Sequence, residues 1–187
     1  MKYECPNILK TKRLLAIDIE TTGLSIDYNT IIELGVIEVI NGNTTQKYSR
    51  LFSGGHSSMF LVRNIHKIKD CERLGRKTFK ECSEKIASYL SNAILITHNG
   101  GRFDIPMIQK KLSECGQEIK NIKHIDTYQI ARKFGHESNS LKNLCKEYGI
   151  QYGGEEGDKS HRGLEDAEAT LQLLYFFIKE KQVVLSL

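Results

Sequence analysis

Two acidic residues end the first apolar segment of the chain. Asp18 and Glu20 lie in the run Asp-Ile-Glu-Thr-Thr-Gly, directly after Leu-Leu-Ala-Ile at residues 14–17. Side chains alternate between the two faces of a β-strand, so both carboxylates point to the same side. Such a pair raises its own pKa values unless a cation, a basic side chain or water balances the charge. The stretch therefore indicates either a divalent metal site, for which Mg²⁺ is a suitable hard ion, or a solvated acidic turn.

A third acid follows another predicted strand. Asp104 comes after the apolar residues 93–97 and the run His-Asn-Gly-Gly-Arg-Phe. Open α/β sheets place their sites at the carboxyl ends of strands, where Asp18 and Glu20 also lie. Asp104 also precedes Ile-Pro at the start of a predicted helix, so helix capping is an alternative, and the two roles are compatible.

The fourth acid and a histidine occur together in His-Arg-Gly-Leu-Glu-Asp, residues 161–166. In one regular helix, five steps of about 100° would place His161 and Asp166 on different faces. They share a site if His161 belongs to the glycine-rich loop of residues 149–160 and Asp166 to the second turn of the following helix. A loop histidine is then either a solvated side chain or a general base beside a metal cluster.

The elements that must position these residues are strands first and then alternating helices and strands. Strands are predicted at residues 14–19, 31–39, 46–52 and 93–97, with Asn-Gly-Asn at 41–43 joining the second and third as an antiparallel hairpin. Helices are predicted at residues 82–90, from Pro106 to about 115 with Gly116 as a left-handed stop, at 127–134, at 141–148, and from about 162. This order predicts an α/β fold with a mixed sheet.

Bulk properties are those of an ordinary globular protein. The chain has 187 residues, 40% hydrophobic and 27% charged, with a formal net charge of +4. We expect a single domain, residues 1–187, with flexible ends at 1–12 and 182–187. Five scattered cysteines without a Cys-x-x-Cys pair argue against a zinc site or a disulfide framework. With neither a signal peptide nor a membrane-spanning run, we expect an intracellular, soluble protein of the cytoplasm or nucleus, without membrane association.

The ordered set Asp18, Glu20, Asp104, His161 and Asp166 resembles the DEDDh family of 3′-to-5′ exonucleases. The resemblance extends from residue 14 to about 177 and rests on Asp-Ile-Glu-Thr-Thr-Gly-Leu, His-Asn-x-x-x-Phe-Asp and His-x-x-x-x-Asp-Ala. The run His-Asn-Gly-Gly-Arg-Phe-Asp-Ile-Pro is most similar to the three-prime repair exonucleases, and the remainder is similar to polymerase proofreading subunits. The resemblance implies an RNase H-like fold, a central mixed five-stranded β-sheet flanked by α-helices.

The resemblance also implies a mechanism. Asp18, Glu20, Asp104 and Asp166 would hold two divalent ions, Mg²⁺ or Mn²⁺, around the scissile phosphate, and His161 would act as general base. The substrates would be 3′ ends of single-stranded DNA or RNA, or frayed 3′ ends of DNA. The products would be nucleoside 5′-monophosphates.

Residues for the terminal nucleotide are also implied by the resemblance. Thr21 and Thr22 would offer amides or hydroxyls to the 3′-hydroxyl, Leu24 and Ile65 would wedge against the last base, and His66 and Asn99 complete the predicted substrate-binding set. Each has a structural alternative: a turn for the threonines, core packing for Leu24 and Ile65, and packing or capping for His66. Residues 63–80, with seven basic and two acidic side chains, are either a phosphate-tracking patch or a solvated face.

The chain differs from both the repair exonucleases and the proofreading subunits, and these differences leave alternative functions open. The chain has neither the C-terminal extension by which a proofreading subunit binds its polymerase nor the proline-rich insertion and hydrophobic tail of mammalian repair enzymes, so we do not expect a dedicated polymerase partner. A polymerase-associated proofreading subunit and a catalytically inactive nucleic-acid-binding module of the same fold are the alternatives, together with a structural cation site unrelated to nucleic acids. A homodimer formed through an exposed second strand is a further expectation. Sequence does not distinguish DNA from RNA.

Overall fold

A computed structural model describes residues 3–55, 66–153 and 162–185. Its described residues form five strands: β1 (Arg13–Thr21), β2 (Ile31–Ile40), β3 (Asn43–Leu51), β4 (Ile94–Thr97) and β5 (Lys123–Asp126). The helices are α1 (Asp70–Arg73), α2 (Phe79–Leu90), α3 (Asp104–Ser113), α4 (Thr127–Ala131), α5 (Leu141–Tyr148) and α6 (Gly163–Lys179). Short 3₁₀ helices cover Asn7–Leu9 and Arg132–Phe134.

The strands form one mixed sheet in the order β3-β2-β1-β4-β5. The first three strands pair antiparallel, whereas β1, β4 and β5 are mutually parallel neighbours. The β2–β3 hairpin turns at Asn41 and Gly42, both of which have positive φ, as a tight two-residue hairpin turn requires. The expectation that the second strand is an exposed edge is wrong, because β2 lies between β1 and β3 and the edges of the sheet are β3 and β5.

Each face of the sheet carries its own hydrophobic cluster. Leu14 and Ala16 of β1 pack with residues of α4, α5 and α6, whereas Leu15, Ile17 and Ile19 pack with residues of α2 and α3. Burial on both faces explains why β1 reads as a continuous apolar run rather than as an alternating one. None of the helices that the structure describes has the length and apolar character needed to cross a membrane.

Helix boundaries follow local capping chemistry. Thr78 caps α2 and forms a capping box with Glu81, so this helix starts three residues before the predicted residue 82. Pro106 lies in the first turn of α3 as predicted, and the chain reaches a left-handed Gly116 shortly after Ser113. The predicted helix over residues 127–134 is α4 followed by a 3₁₀ turn that ends at left-handed Gly135.

Part of each terminal stretch expected to be flexible is packed. Cys5 and Leu9 are buried in the cluster around α6, and the Tyr3 amide donates to Gln172 Oε1 at 2.7 Å. At the other end Val183 and Leu185 pack against the same cluster.

Candidate active site

One face of β1 changes from apolar to acidic along its length. Leu14 and Ala16 lie on the α6 side of the sheet, and the period of two places Asp18 and Glu20 on the same side, at the end of the strand. Both acids are half-buried, whereas Ile19 between them is buried against α2 and α3. The predicted common orientation of the two acids is thus realised where β1 leaves the core.

Asp104 faces both β1 and the start of its own helix, since its carboxylate accepts hydrogen bonds from the Ile19 amide and from its own amide. It is the first residue of α3, and the residue before it, Phe103, makes no side-chain cap. The buried Asp104 carboxylate accepts a hydrogen bond from the Ile19 amide at 3.2 Å. Since Ile19 lies between Asp18 and Glu20, this bond brings the third acid beside the first two.

The loop that delivers Asp104 is held by another aspartate. Asp126, the last residue of β5, accepts hydrogen bonds from the amides of Asn99 (2.7 Å), Gly101 (3.2 Å) and Tyr128 (3.0 Å). Asn99 has a left-handed backbone, with φ of 64°. Asp126 thereby caps α4 and fixes the β4–α3 loop with the same carboxylate.

Two glycines let α6 approach the sheet closely. A Cβ on Gly35 would lie 2.0 Å from the carbonyl carbon of Gly163, and a Cβ on Gly163 would lie 3.0 Å from the Asp18 carbonyl oxygen. Gly35 is the ladder partner of Asp18. Asp166 lies in the first turn of α6, not in the second turn as predicted, because the helix begins at Gly163. This contact brings buried Asp166 to the acidic end of β1.

Burial and mutual repulsion shift the pKa values of the β1 acids upward. Burial raises the pKa of Asp18 well above its usual range, and the charges of Asp104 and Asp166 raise it further. Burial also raises the pKa of Glu20 to about 9, with Asp166 as the largest neighbouring charge. Arg162 opposes this shift at Glu20.

The other two acids carry their own hydrogen bonds. Burial raises the pKa of Asp104 to about 6, although the Ile19 amide opposes the shift. The Tyr152 hydroxyl bonds to Asp166, and burial followed by the Asp166 charge raises the pKa of Tyr152. Thus the four acids influence one another electrostatically at a single end of the sheet.

The side chains do not yet form a coordination shell. Within the described ranges, no three His, Cys, Asp or Glu side chains are arranged as a metal-binding group. The donor set consists of carboxylate oxygens, and no basic side chain in the described part of the chain forms an ion pair with Asp18, Glu20 or Asp104.

Comparison with known proteins agrees with this geometry. The RNase T family model, described as Exonuclease, matches residues 15–174. The chain belongs to this exonuclease family. The predicted family, the predicted α/β fold with a mixed five-stranded sheet and the assignment of the chain as an exonuclease are confirmed.

The curated relatives of this exonuclease-family chain are much longer proteins. It is 32% identical over 174 residues to DNA polymerase III PolC-type of Staphylococcus saprophyticus, which covers 91% of this chain and 11% of the polymerase. The corresponding protein of Staphylococcus aureus is 32% identical over 178 residues, covering 94% and 12%. The chain thus spans about a tenth of the length of these relatives.

Solved structures share the exonuclease fold at low identity. E. coli exonuclease I in complex with a dT13 oligonucleotide superposes with a TM-score of 0.79 at 14% identity, covering 91% of this chain and 42% of that chain. Exonuclease X in complex with 5′ overhanging duplex DNA superposes with a TM-score of 0.69 at 22% identity, covering 91% and 94%. At these identities the likeness shows the fold.

The predicted substrate-binding residues of the exonuclease differ in exposure and in hydrogen bonding. Leu24 is 75% exposed, so it is not a core residue. The Thr21 hydroxyl donates to the Gly23 carbonyl at 2.7 Å, and the Thr22 hydroxyl accepts from the Thr30 amide at 3.1 Å, so both hydroxyls shape the turn after β1. Their structural alternative, turn formation, is therefore observed.

The remaining predicted residues lie beside the loops or outside the described ranges. His66 is fully buried, and its Nδ1 accepts from the Ile68 amide at 2.9 Å, as expected for the packing and capping alternative. Asn99 is tied to Asp126 through its amide. His161 and Ile65 lie outside the described residues, so their predicted roles remain predictions.

The basic segment over residues 63–80 is not uniform. Arg73 is buried, and its guanidinium donates to the carbonyls of Gly54 at 2.7 Å and Gly55 at 3.0 Å and pairs with Asp70 at 2.6 Å. It is thus a structural anchor for the chain after β3. Exposed basic side chains remain in the described part of this segment at Lys67, Lys69, Arg76, Lys77 and Lys80.

Sequence reasoning missed a fifth acid next to the site. Glu33 of β2 is the ladder partner of Glu20, and its side chain is 0% exposed. In the sequence it is one acid within an apolar strand, Ile-Ile-Glu-Leu-Gly, and the only signal was a charge at a position that the β pattern buries.

Proposed function

We propose that this chain is a metal-dependent 3′-to-5′ exonuclease that removes 5′-mononucleotides from single-stranded or frayed DNA ends, and from RNA in the same manner. The observation that supports this most strongly is the convergence of Asp18, Glu20, Asp104 and Asp166 at one end of an exonuclease-family sheet. Folding alone does not explain why burial and neighbouring charges raise the pKa values of Asp18, Glu20 and Asp104 at one place. Bound cations would balance the negative charge of these acids, which explains their arrangement.

The four acids suit two divalent ions of the Mg²⁺ or Mn²⁺ type. Hard divalent cations prefer carboxylate oxygens, and the described site offers four carboxylates with Arg162 as the one base that opposes the charge at Glu20. Burial, followed by repulsion from the neighbouring acids, raises the pKa of Asp18, so that cation binding and loss of the proton are linked. When bound, the ions supply positive charge at the scissile phosphate and activate water at neutral pH.

The protein's own groups then orient the reaction. The Ile19 amide fixes one oxygen of Asp104, leaving the rest of that carboxylate to face the other acids. His161, which precedes Arg162 in the sequence, takes the proton of the attacking water, since an imidazole changes protonation near neutral pH. His161 is thus assigned the proton of the water, whereas the four acids would hold the ions that act on the phosphate.

The 3′ end is proposed to bind at the turn after β1. Exposed Leu24 offers an apolar surface to the last base, and Ile65, which lies outside the described residues, is assigned to the same base by the family resemblance. Thr21 and Thr22 keep their proposed role toward the 3′-hydroxyl, although both hydroxyls and the Thr22 amide, which donates to the Thr30 carbonyl at 3.0 Å, also hold the turn. His66 and Asn99 are assigned to the same pocket by the family resemblance. The His66 Nδ1 accepts from the Ile68 amide, and the Asn99 amide donates to Asp126.

The comparisons favour DNA as the substrate and support a polymerase as a partner. The curated relatives are DNA polymerases III of PolC type, and the structural neighbours include complexes with a dT13 oligonucleotide and with 5′ overhanging duplex DNA. A proofreading activity acting with a polymerase is therefore the second candidate function, although the sequence argument weighed against a dedicated polymerase partner.

A matched pair of carboxylate variants tests the proposal. Single-stranded DNA and RNA of equal sequence, labelled at either the 5′ or the 3′ end, are incubated with wild type, Glu20→Gln and Glu84→Gln, with Mg²⁺ or with chelator. We expect stepwise shortening from the 3′ end that requires Mg²⁺, is lost in Glu20→Gln, and persists in Glu84→Gln, because Glu84 is an exposed residue of α2. Binding without shortening in every condition would instead support the inactive binding module.

A further inference from the structure

An ion pair between buried Glu33 and half-buried Arg162 lies at the acidic end of the sheet. The fully buried Glu33 carboxylate accepts from the Ser49 hydroxyl of β3 and from the Gly163 amide at 3.2 Å, and Arg162 Nε lies 3.5 Å from its Oε1. A buried carboxylate is costly unless it is hydrogen-bonded and paired. Here the partners come from β3 on one side and from the start of α6 on the other.

Glu33 caps α6 from a different element. The first amides of a helix have no partner within the helix, and Arg162 at the N-cap position makes no side-chain cap bond. The Gly163 amide, the first of α6, finds its acceptor in Glu33 on β2 instead. A negative charge at this position also suits the helix dipole.

Arg162 extends the connection to a third element. Its Nη1 lies 3.5 Å from Glu72 Oε1 of α1, while its Nε faces Glu33. Helix α1 is in turn attached to the chain after β3 by buried Arg73. The start of α6 is therefore connected through one side chain to both β2 and α1.

The location of the pair gives it a consequence for Asp166. Glu33 is the ladder partner of Glu20, and Gly35, two residues on, is the ladder partner of Asp18 and contacts Gly163 directly. A shift of the α6 first turn would therefore change the distance from Asp166 to the two β1 acids. Arg162 also follows the proposed base His161 directly in the sequence.

We propose that Glu33 and Arg162 form a positioning pair that holds the first turn of α6, and with it Asp166, in register with Asp18 and Glu20. The pair itself touches neither substrate nor reacting atoms. Because Asp166 is one of the proposed metal-binding acids, this inference rests on the proposed function. It assigns a role in turnover to two residues outside the four acids and the histidine.

The test is a set of charge-removing variants of the full chain. Arg162→Met keeps the length of the side chain and removes its charge, Arg162→Lys restores a charge, and Glu33→Gln keeps an acceptor for the Gly163 amide. Turnover is measured on a 5′-labelled single-stranded oligonucleotide at saturating Mg²⁺, well below each unfolding midpoint. We expect Arg162→Met to lower kcat roughly 10- to 100-fold with KM changed by less than about threefold.

Rescue and coupling distinguish positioning from simple stabilisation. Arg162→Lys is expected to recover part of the loss, and the double variant Glu33→Gln/Arg162→Met to lose less than the product of the single losses. Glu33→Gln could fail to fold, because Glu33 is buried. The Met and Lys variants of partly exposed Arg162 would then still test whether the pair positions Asp166. The control is Lys47→Met, which breaks an exposed 2.7 Å pair between β3 and Glu168 of α6 and should leave kcat unchanged.

Three results would overturn the inference. Arg162→Met could lower only the unfolding midpoint and leave kcat intact, which would make the pair purely structural. An increase in KM at constant kcat would mean that Arg162 contacts substrate, and independent losses in the double variant would mean that the pair does not act as a unit. Each requires an active wild type, so an inactive wild type would contradict the proposed function instead.

Discussion

A buried glutamate lies near each end of β2, and the two glutamates have different partners. Glu38, at the end away from the site, is neutralised by Arg13 at 2.8 Å and accepts from the Thr45 hydroxyl at 2.8 Å. Arg13 in turn lies over the Tyr89 ring, 4.9 Å from its centroid. Glu33, five residues earlier, shares Arg162 with Glu72 and lies beside Glu20.

We interpret the paired charge of Glu38 as stabilising the fold, and the poorly balanced charges at the other end as serving the site. The fold supplies Glu38 with a basic partner, a hydroxyl and an aromatic support for that partner. At the other end, burial and then the charges of neighbouring acids raise the pKa values of Asp18 and Glu20, and only Arg162 opposes the shift at Glu20. Functional sites commonly carry such local destabilisation.

The largest expected effect comes from removing one acid at the site end. Asp104→Asn keeps an acceptor for the Ile19 amide but removes a charge needed for cation binding. We expect kcat/KM for oligonucleotide shortening to fall at least about 1,000-fold, equivalent to about 4 kcal/mol of transition-state stabilisation. Glu38→Gln, the counterpart at the far end, should retain activity within about twofold; a comparable loss there would remove the distinction between the two ends.

The next effect concerns the close contact that brings α6 to the sheet. Gly35→Ala places a Cβ 2.0 Å from the Gly163 backbone, so the helix must move. We expect the free energy of unfolding, measured with urea, to fall by about 3 kcal/mol. Gly101→Ala is the control, because the nearest atom to its Cβ is Asp126 Oδ2 at 3.3 Å; equal losses in both variants would show that the contact is not special.

The Glu38 pair should matter for stability alone. Glu38→Gln leaves Arg13, which is 27% exposed, without its buried carboxylate partner. We expect the free energy of unfolding to fall by about 2 kcal/mol, discounted from fully buried pairs because Arg13 reaches solvent. Chemical denaturation of this variant and wild type provides the measurement, and an unchanged midpoint would mean that the pair does not stabilise the fold.

The smallest expected effect is a pH dependence that belongs to the site end. Burial raises the pKa of Glu20 in the folded state to about 9 from an ordinary value of 4.5, so the folded protein binds more protons than the unfolded chain between these values. In chelator, the free energy of unfolding should therefore decrease as pH rises from 5 to 8, by at least about 1 kcal/mol. Glu20→Gln should weaken this decrease and Glu38→Gln should not; a steeper slope in Glu20→Gln would contradict the assignment.

Divalent cation should oppose the same decrease. Binding favours the deprotonated acids, so added Mg²⁺ stabilises the folded state most at pH 8 and least at pH 5. Thermal midpoints with and without Mg²⁺ at both pH values provide the comparison with the chelated protein.

Local patterns in the sequence predicted much of the fold and part of the site. The apolar run before Asp18 and Glu20 predicted a strand with both acids on one side, and Asn41-Gly42 predicted the hairpin. Asp104 was predicted at a strand-to-helix junction, where it lies. These succeed because strand periodicity, turn conformation and helix starts depend on neighbouring residues.

Tertiary pairing decided the rest. Glu33 and Glu38 occupy the same strand with similar apolar neighbours, and nothing local tells which one meets Arg13 and which one meets Glu20 and Arg162. Likewise, Arg73 was counted in a basic surface patch although the fold buries it. The chain by itself determined which residues carry charge and which side of a strand they take. Only strand register and helix docking decided which charges are neutralised, because those partners are distant in sequence.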